Sequence, residues 1–484
     1  MLVVFHSISY LLALEGLLMA LCGLASWYPL GDSRTAWLPL LLCGGGILVL
    51  ALLLWLLTPT RREITRRDGM AIAAFGWLAA CLLGAFPFLL SHVVPTYAAA
   101  FFEATSGLTT TGSTVIPVLE GVPRGILLWR AASHLLGGLG VLVLLVAILP
   151  LAGAGGSQIV HAESPASSDR VEPRMTSSAK ALWATYLLLC VVLLLLLRAA
   201  GMGWFDATCH AFSAVSNGGF STRTASIAAY SSPAIEAILT LFMLLSAINF
   251  SLHYRTLRGG GFPHLRHAET RFFLALLALG VAAIALILRF QAPAYAGASP
   301  LRLLRHAAFT ATSLASTTGF GTTDYNTWPV AAKYILFTLF LVGGVAGSTA
   351  GGMKAGRILV LLKAIRVQIR LYLQPAAILH VRNGRKVLPS SRLLAVSAFV
   401  LLYLLTVFLS TLLLLPACPD LSTAVSSVAA SLSNTGPGFA AVGPTCNYAF
   451  LPAPAQAFLA FLMILGRLEI LTVLVLLLPS FWRR

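Results

Sequence analysis

Several stretches of this chain run without a charged residue for about the thickness of a bilayer, among them Trp37 to Leu57, Ala181 to Leu197 and Leu393 to Leu415. A helix rises about 1.5 Å per residue, so roughly 20 apolar residues cross the hydrocarbon core. Within that core each backbone N–H and C=O needs a protein partner, and a chain made of such runs meets the need as helices. The charge content agrees. Only 10% of the 484 residues are charged, against roughly 25% in soluble domains, too few to cover a water-facing surface. The expected fold is an all-α polytopic membrane protein.

The apolar pattern predicts two leading spans, near 3–26 and 36–57. Long helices follow near 69–92 and 124–150, 179–200 and 232–255, 270–290 and 328–363, and 391–415 and 453–479. The net charge of +17 is read as loop charge, because Lys and Arg collect on the cytoplasmic side of membrane proteins. With a cytoplasmic N-terminus, the inner loops hold Arg61, Arg62, Arg66, Arg67, Arg170, Arg174, Lys180, Arg255, Arg258, Arg266 and Arg271. They also hold the basic stretch Lys354 to Arg392 and the final Arg483 and Arg484. No stacking platform or basic groove motif accompanies them, so nucleic acid is not an expected partner. Glu103, Glu120, Asp206, Glu236, Asp324 and Asp420 fall on the outer side, where acids either concentrate cations at the pore entrances or form an ordinary solvated face. The seven Cys form no CxxC; Cys418 and Cys446 share the outer side as a disulfide or as two free thiols. Met1 to Tyr10 lacks a basic n-region and reads as part of a retained span.

Between the paired long helices, one short pattern recurs four times, roughly a hundred residues apart. It reads Leu108-Thr109-Thr110-Thr111-Gly112, Val215-Ser216-Asn217-Gly218-Gly219, Ala315-Ser316-Thr317-Thr318-Gly319 and Leu432-Ser433-Asn434-Thr435-Gly436. Aligned on the last glycine, an aliphatic residue stands four before it, Ser or Thr three before it, and Thr or Asn two before it. A dehydrated cation needs oxygen ligands in place of water. Backbone carbonyls supply them when an irregular strand turns them to one axis, and glycine permits that backbone. A short helix leading into each loop aims its negative C-terminal end the same way. The expectation is four helix–pore helix–filter–helix repeats around one central pore: 1–68 a leading two-helix segment, then 69–178, 179–268, 269–389 and 390–484. The candidate cation-binding filter residues are Thr110, Thr111, Gly112, Asn217, Gly218, Gly219, Thr317, Thr318, Gly319, Asn434, Thr435 and Gly436.

Two further features bear on flow through such a pore. The run from Val342 to Lys354 contains Gly343, Gly344, Gly347, Ser348, Thr349, Gly351 and Gly352. Each glycine costs a helix roughly 1 kcal/mol relative to Ala, so the 328–363 helix is expected to break here and obstruct the pore; small-residue helix packing is the alternative. The run lacks the Gly-Lys-Ser/Thr ending of a phosphate loop. Arg467 lies in a late span, where a charge faces a cavity or an acidic partner. Glu469 is two residues on and points elsewhere on a helix, so Arg467 is expected to face the pore below the filter and limit leak. Among the acids, Glu15 and Glu469 lie well inside spans and neither is in a filter, which speaks against a potassium–proton or sodium coupled carrier. No nucleophile–base or metal constellation marks an enzyme.

At the four loops the sequence resembles the Trk/Ktr/HKT superfamily of potassium transporters, and more closely its bacterial TrkH/TrkG branch. The resemblance extends to Gly137-Gly138-Leu139-Gly140 leading to Ala147-Ile148-Leu149-Pro150, to Gly343 through Lys354, and to Gly466-Arg467-Leu468-Glu469-Ile470. The two leading spans suit TrkH rather than the shorter KtrB type. The resemblance implies K+ as the transported ion with no organic cofactor, an intramembrane gating loop at 343–354, and a gating arginine at Arg467. It also implies a homodimer in the bacterial inner membrane and a cytoplasmic TrkA-type partner that binds nucleotides, docked on the inner loop 151–179 and on Lys354 to Arg392. Serine at the first filter glycine goes with sodium transport in the superfamily, so Gly112 implies potassium. Ser133-His134-Leu135 departs from an expected Gln-Trp-type sequence. That departure is read as lying off the filter, and His134 as a helix residue with a satisfied partner.

Overall fold

The structure, a computed structural model, describes residues 2–59, 65–151, 175–383 and 386–482, with 66, 141–151, 175–178, 383 and 386 as backbone only. The inner loop at 152–174 and the basic residues Arg61, Arg62, Arg170, Arg174, Arg483 and Arg484 lie outside the described residues.

Among the described residues, six helices are long and apolar enough to cross a membrane. The leading spans Leu2–Trp27 and Arg34–Leu57 form a close hairpin. Small residues let their backbones meet: a methyl group on Gly16 would lie 2.9 Å from the Gly44 carbonyl oxygen. Asp32, in the turn between the two spans, accepts the Gly125 N–H at 2.7 Å, an acidic cap that ties the hairpin to the Arg124–Leu151 helix.

Four short helices precede the Gly-bearing loops: Tyr97–Leu108, Trp204–Val215, Pro300–Ala315 and Leu421–Ser433. We call them pore helices 1 to 4. At about 1.5 Å per residue none spans the roughly 30 Å hydrocarbon core, so the chain must turn back at membrane depth. Three begin on a side-chain cap: Thr96 accepts from Ala99 N, Ser299 from Arg302 N, and Asp420 from Thr423 N. Their loops lead to the helices that close each unit.

Those closing helices depart from the expected continuity. Only Arg124–Leu151 is unbroken. The span expected over 232–255 is two helices, Pro233–Ser246 and Phe250–Leu257, bent by 101°. No glycine or proline signals that break. Its free backbone groups are met from elsewhere: the Ala247 carbonyl accepts from Val345 N at 2.9 Å, and Phe250 N donates to the Gly347 carbonyl at 3.0 Å. The 328–363 helix breaks as expected, into Val330–Val342 and Ala355–Leu373. The 453–479 helix also breaks, with Glu469 at φ 58° and Ile470 at φ 31° between Ala453–Arg467 and Leu471–Leu476. A two-residue hairpin, Arg382–Asn383 with Lys386–Val387, interrupts the otherwise all-helical architecture among the described residues.

Closing helices reach the pore helices through glycine. A methyl on Gly137 would sit 2.0 Å from the Leu108 carbonyl oxygen, and one on Gly466 would sit 2.0 Å from that of Leu432. Leu108 and Leu432 hold the same position in their repeats, four before the last glycine. Gly137→Ala and Gly466→Ala should each cost about 1–3 kcal/mol of overpacking and lower the melting temperature of the purified protein. Gly121→Ala, with nothing within 4 Å, should not.

Candidate functional site

The four loops adopt one conformation. The residue two before the last glycine lies in the left-handed region in each: Thr110 at φ 54°, Asn217 at 55°, Thr317 at 57° and Asn434 at 54°. The last glycines follow at φ 86°, 79°, 85° and 93° for Gly112, Gly219, Gly319 and Gly436. Two left-handed residues in five turn the chain sharply off the end of each pore helix.

The loops also touch in cyclic order. A methyl on Gly112 would lie 2.0 Å from the Gly218 carbonyl oxygen, on Gly219 1.8 Å from that of Thr318, on Gly319 2.3 Å from that of Thr435, and on Gly436 2.8 Å from that of Thr111. First meets second, second meets third, third meets fourth, and fourth meets first. The oxygen at each contact belongs to the residue just before the last glycine. No donor among the described residues bonds to any of the four oxygens. Such a ring of exposed acceptors is costly at membrane depth unless an ion or water occupies it.

Side chains hold the ring from behind. Thr318 Oγ1 donates to Asn217 Oδ1 at 3.1 Å, joining the third loop to the second. Asn434 Nδ2 donates to Thr111 Oγ1 at 3.0 Å, joining the fourth to the first. Above them, Ser113 Oγ and the Tyr448 hydroxyl both donate to the Gly436 carbonyl at 2.9 Å.

Below the ring lies the Gly343–Lys354 segment, non-helical throughout. It is sewn to three loops. Gly351 N donates to Thr317 Oγ1 at 2.7 Å, Gly352 N to the Ser433 carbonyl at 3.0 Å, and Asn217 Nδ2 to Thr349 Oγ1 at 3.1 Å. Thr349 Oγ1 in turn donates to the Val215 carbonyl at 3.0 Å. Gly351 is pressed so close that a methyl there would lie 2.0 Å from the Ser433 oxygen. Ser348 donates within the turn to the Val345 carbonyl, and the Lys354 ammonium to that of Ala350. Gly343 and Gly352 pack against each other where the segment leaves and rejoins the helices, and Gly344 lies against Ala350.

Arg467, 8% exposed, reaches this segment from the fourth unit. Its Nη1 donates to the Thr349 carbonyl at 2.9 Å and its Nη2 to the Gly137 carbonyl at 3.4 Å. No carboxylate pairs with it among the described residues. Glu469 turns away, as expected, though from a break rather than a helix, and pairs with Arg357.

The profile of the TrkH family, described as a cation transport protein, matches residues 45–483. The chain is 41% identical over 430 residues to "Trk system potassium uptake protein TrkH" of Halomonas elongata, covering 88% of each sequence. It is 37% identical over 437 residues to the protein of the same name from Escherichia coli (strain K12), covering 90% of this chain and 89% of that one. This chain belongs to the TrkH family. The crystal structure of the potassium transporter TrkH from Vibrio parahaemolyticus superposes with a TM-score of 0.87 at 34% identity, covering 99% of this chain and 100% of that one. The family consists of transport proteins, not enzymes, and the chain is accordingly a multi-pass protein of the bacterial inner membrane.

Within this TrkH-family architecture several expectations need correction. Glu103 is not an outer-surface acid. It is fully buried on pore helix 1, pairs with Arg130 Nε at 2.7 Å and accepts the Val115 N–H at 3.0 Å. Arg130 continues to the Ser221 carbonyl and stacks 3.9 Å over Phe220, so this pair braces the outer ends of the first two loops. Asp206 pairs with Arg223, and Glu236 with Arg305, which lessens their pull on cations. Glu120 stays exposed, and hydrogen bonds from Thr224 hold its carboxyl below the usual range. Asp324 caps a local turn, and Asp420 caps pore helix 4. The Ser133-His134 departure does touch the second loop: a methyl on Gly218 would strike His134 Nδ1 at 2.3 Å. His134 stacks on Phe220 at 4.2 Å, and its Nδ1 lies 3.2 Å from Ser213 Oγ. Cys418 and Cys446 are free thiols.

Sequence reasoning missed Glu103 as a brace because a buried acid and a surface acid look alike in an amphipathic segment; Arg130 in an otherwise apolar span was the available signal. Glu103→Leu would strand Arg130 without its partner, at a cost of about 3–5 kcal/mol. A thermal melt of the purified protein checks this, and Glu103→Leu with Arg130→Met should recover most of the loss.

Proposed function

We propose that this protein takes up potassium through a gated, channel-like pore, as the membrane subunit of a Trk-type system. The observation that carries the proposal is the closed ring of loop contacts, with an unpartnered carbonyl oxygen at each. A potassium ion entering the ring exchanges hydration oxygens for backbone oxygens. The pore helices add the negative ends of their dipoles, and the Thr and Asn side chains keep the oxygens spaced. The four units 69–178, 179–268, 269–389 and 390–484 each supply one quarter of the filter. The twelve filter residues, from Thr110 to Gly436, are the potassium-binding set.

The segment Gly343–Lys354 is the gate. It lies against the inner side of the loops and is bonded to three of them, so conduction requires it to withdraw. Arg467 holds it through the Thr349 carbonyl and places a fixed positive charge beneath the filter, lowering cation occupancy in the closed state. The relatives named above are potassium uptake proteins of Trk systems, which supports K+ as the ion and a cytoplasmic TrkA-type nucleotide-binding subunit as the regulator. A homodimer is proposed on the same resemblance. The ring offers no titratable group, which favours the channel reading over proton coupling.

Flux into liposomes holding the purified protein, compared for K+, Rb+, Na+ and Li+, tests the proposal. K+ and Rb+ should pass and Li+ should not; equal flux of all four would overturn it. Arg467→Ala should raise K+ flux about tenfold, since it removes a charge-assisted hydrogen bond from the closed state. Gly112→Ser should reduce discrimination against Na+, because its side chain meets the Gly218 oxygen.

A further inference from the structure

Lys354 stands at the N-cap of the Ala355–Leu373 helix with φ 71°, and it offers no side-chain acceptor to the free N–H groups there. The acceptor comes from another helix. Glu269, in the first turn of Ala268–Gln291 and 2% exposed, takes the Gly356 N–H on Oε1 at 2.9 Å. The same oxygen takes the Ala346 N–H at 2.7 Å. One carboxylate therefore caps the helix that follows the Gly343–Lys354 segment and also grips a residue inside it. A methyl on Gly356 would lie 2.7 Å from the Glu269 carboxyl carbon, so glycine is what admits the carboxylate. The neighbouring cations are occupied elsewhere: Arg357 with Glu469, and Lys354 with the Ala350 carbonyl.

We propose that Glu269 is a positioning residue that latches the gate segment in its blocking place. The inference rests on the reading of that segment as the gate. The Gly356 bond is the standing anchor, since it also satisfies a helix terminus and matches the positive end of the dipole. The Ala346 bond is the one that breaks when the segment withdraws. Glu269 touches no ion; it acts through Ala346, from the first helix of the same unit, while Arg467 acts from the fourth unit. Glu269 and Arg467 thus hold the gate from two separate units, beside its bonds to the loops.

The test is K+ flux in liposomes with the full-length protein, each variant first shown to be monodisperse and folded. A variant lacking 346–350 reports on the gate reading itself and should leak. Glu269→Ala should raise flux about tenfold, the ratio expected when a hydrogen bond to a charged acceptor leaves the closed state. Glu269→Gln should stay close to the unaltered protein, because the amide oxygen accepts the same two N–H groups. Gly356→Ala should raise flux with all charges in place, by pushing the carboxylate aside; it decides the matter if Glu269→Ala does not fold. K+ over Na+ discrimination should be unchanged throughout, and Glu269→Ala should add nothing in the shortened variant, neither of which a general loss of packing would produce. A leaking shortened variant beside Glu269→Ala or Gly356→Ala proteins of ordinary flux would overturn the latch and leave the gate standing. A shortened variant of ordinary flux would overturn the gate and the latch with it.

Discussion

The structure depends on four backbone contacts in which a carbonyl oxygen of one loop lies where a side chain of the next would begin. They join parts of the chain that are far apart in sequence, and they exist only because the last residue of each loop is glycine. The rest of the architecture serves them. Pore helices of 12 to 16 residues are too short to cross the hydrocarbon core, and their C-terminal ends lead directly into the loops. Closing helices approach through Gly137 and Gly466 and lock the pore helices from behind. The leading hairpin, held by Asp32, backs the first unit.

The site is built from unequal copies, and the inequality is functional in the packing. First and third loops carry Thr-Thr-Gly, while second and fourth carry Asn with Gly or Thr before the last glycine. Each Asn bonds to a Thr of a neighbouring loop, so the joints alternate around the ring between side-chain bonds and backbone contact alone. His134 fills the gap left by Gly218, and Arg130 with Glu103 braces the outer ends of the first two loops. A buried ion pair is weak evidence for stability by itself; here its geometry shows a different use, fixing where two separate loops lie relative to one another.

Much of this was legible in the sequence because it rests on local chemistry repeated four times. Charge-free runs marked the spans, and the shared register of Gly, Thr and Asn marked the loops. The run of glycines located the break at 343–354. What stayed hidden rests on tertiary partners. The break at 247–249 has no glycine or proline, and it survives because Val345 and Gly347 satisfy its backbone. Nothing near Glu269 distinguishes it from an ordinary acidic first turn, since its two partners lie 77 and 87 residues away. Likewise Glu469 looked like a helix residue, but it stands at a break with φ 58° and pairs with Arg357 from another unit.

Of the four closing helices, only the third carries the glycine-rich segment, and this has a consequence for how the passage would shut. A symmetric pore narrows like an iris, with all subunits moving together and sharing the work. Here a single flap, hinged on one quarter of the ring, would do the whole job while the other three quarters stay put. On the proposed gate, opening would need no concerted rearrangement of the carbonyl ring, and ion preference and throughput would be separately adjustable within one polypeptide.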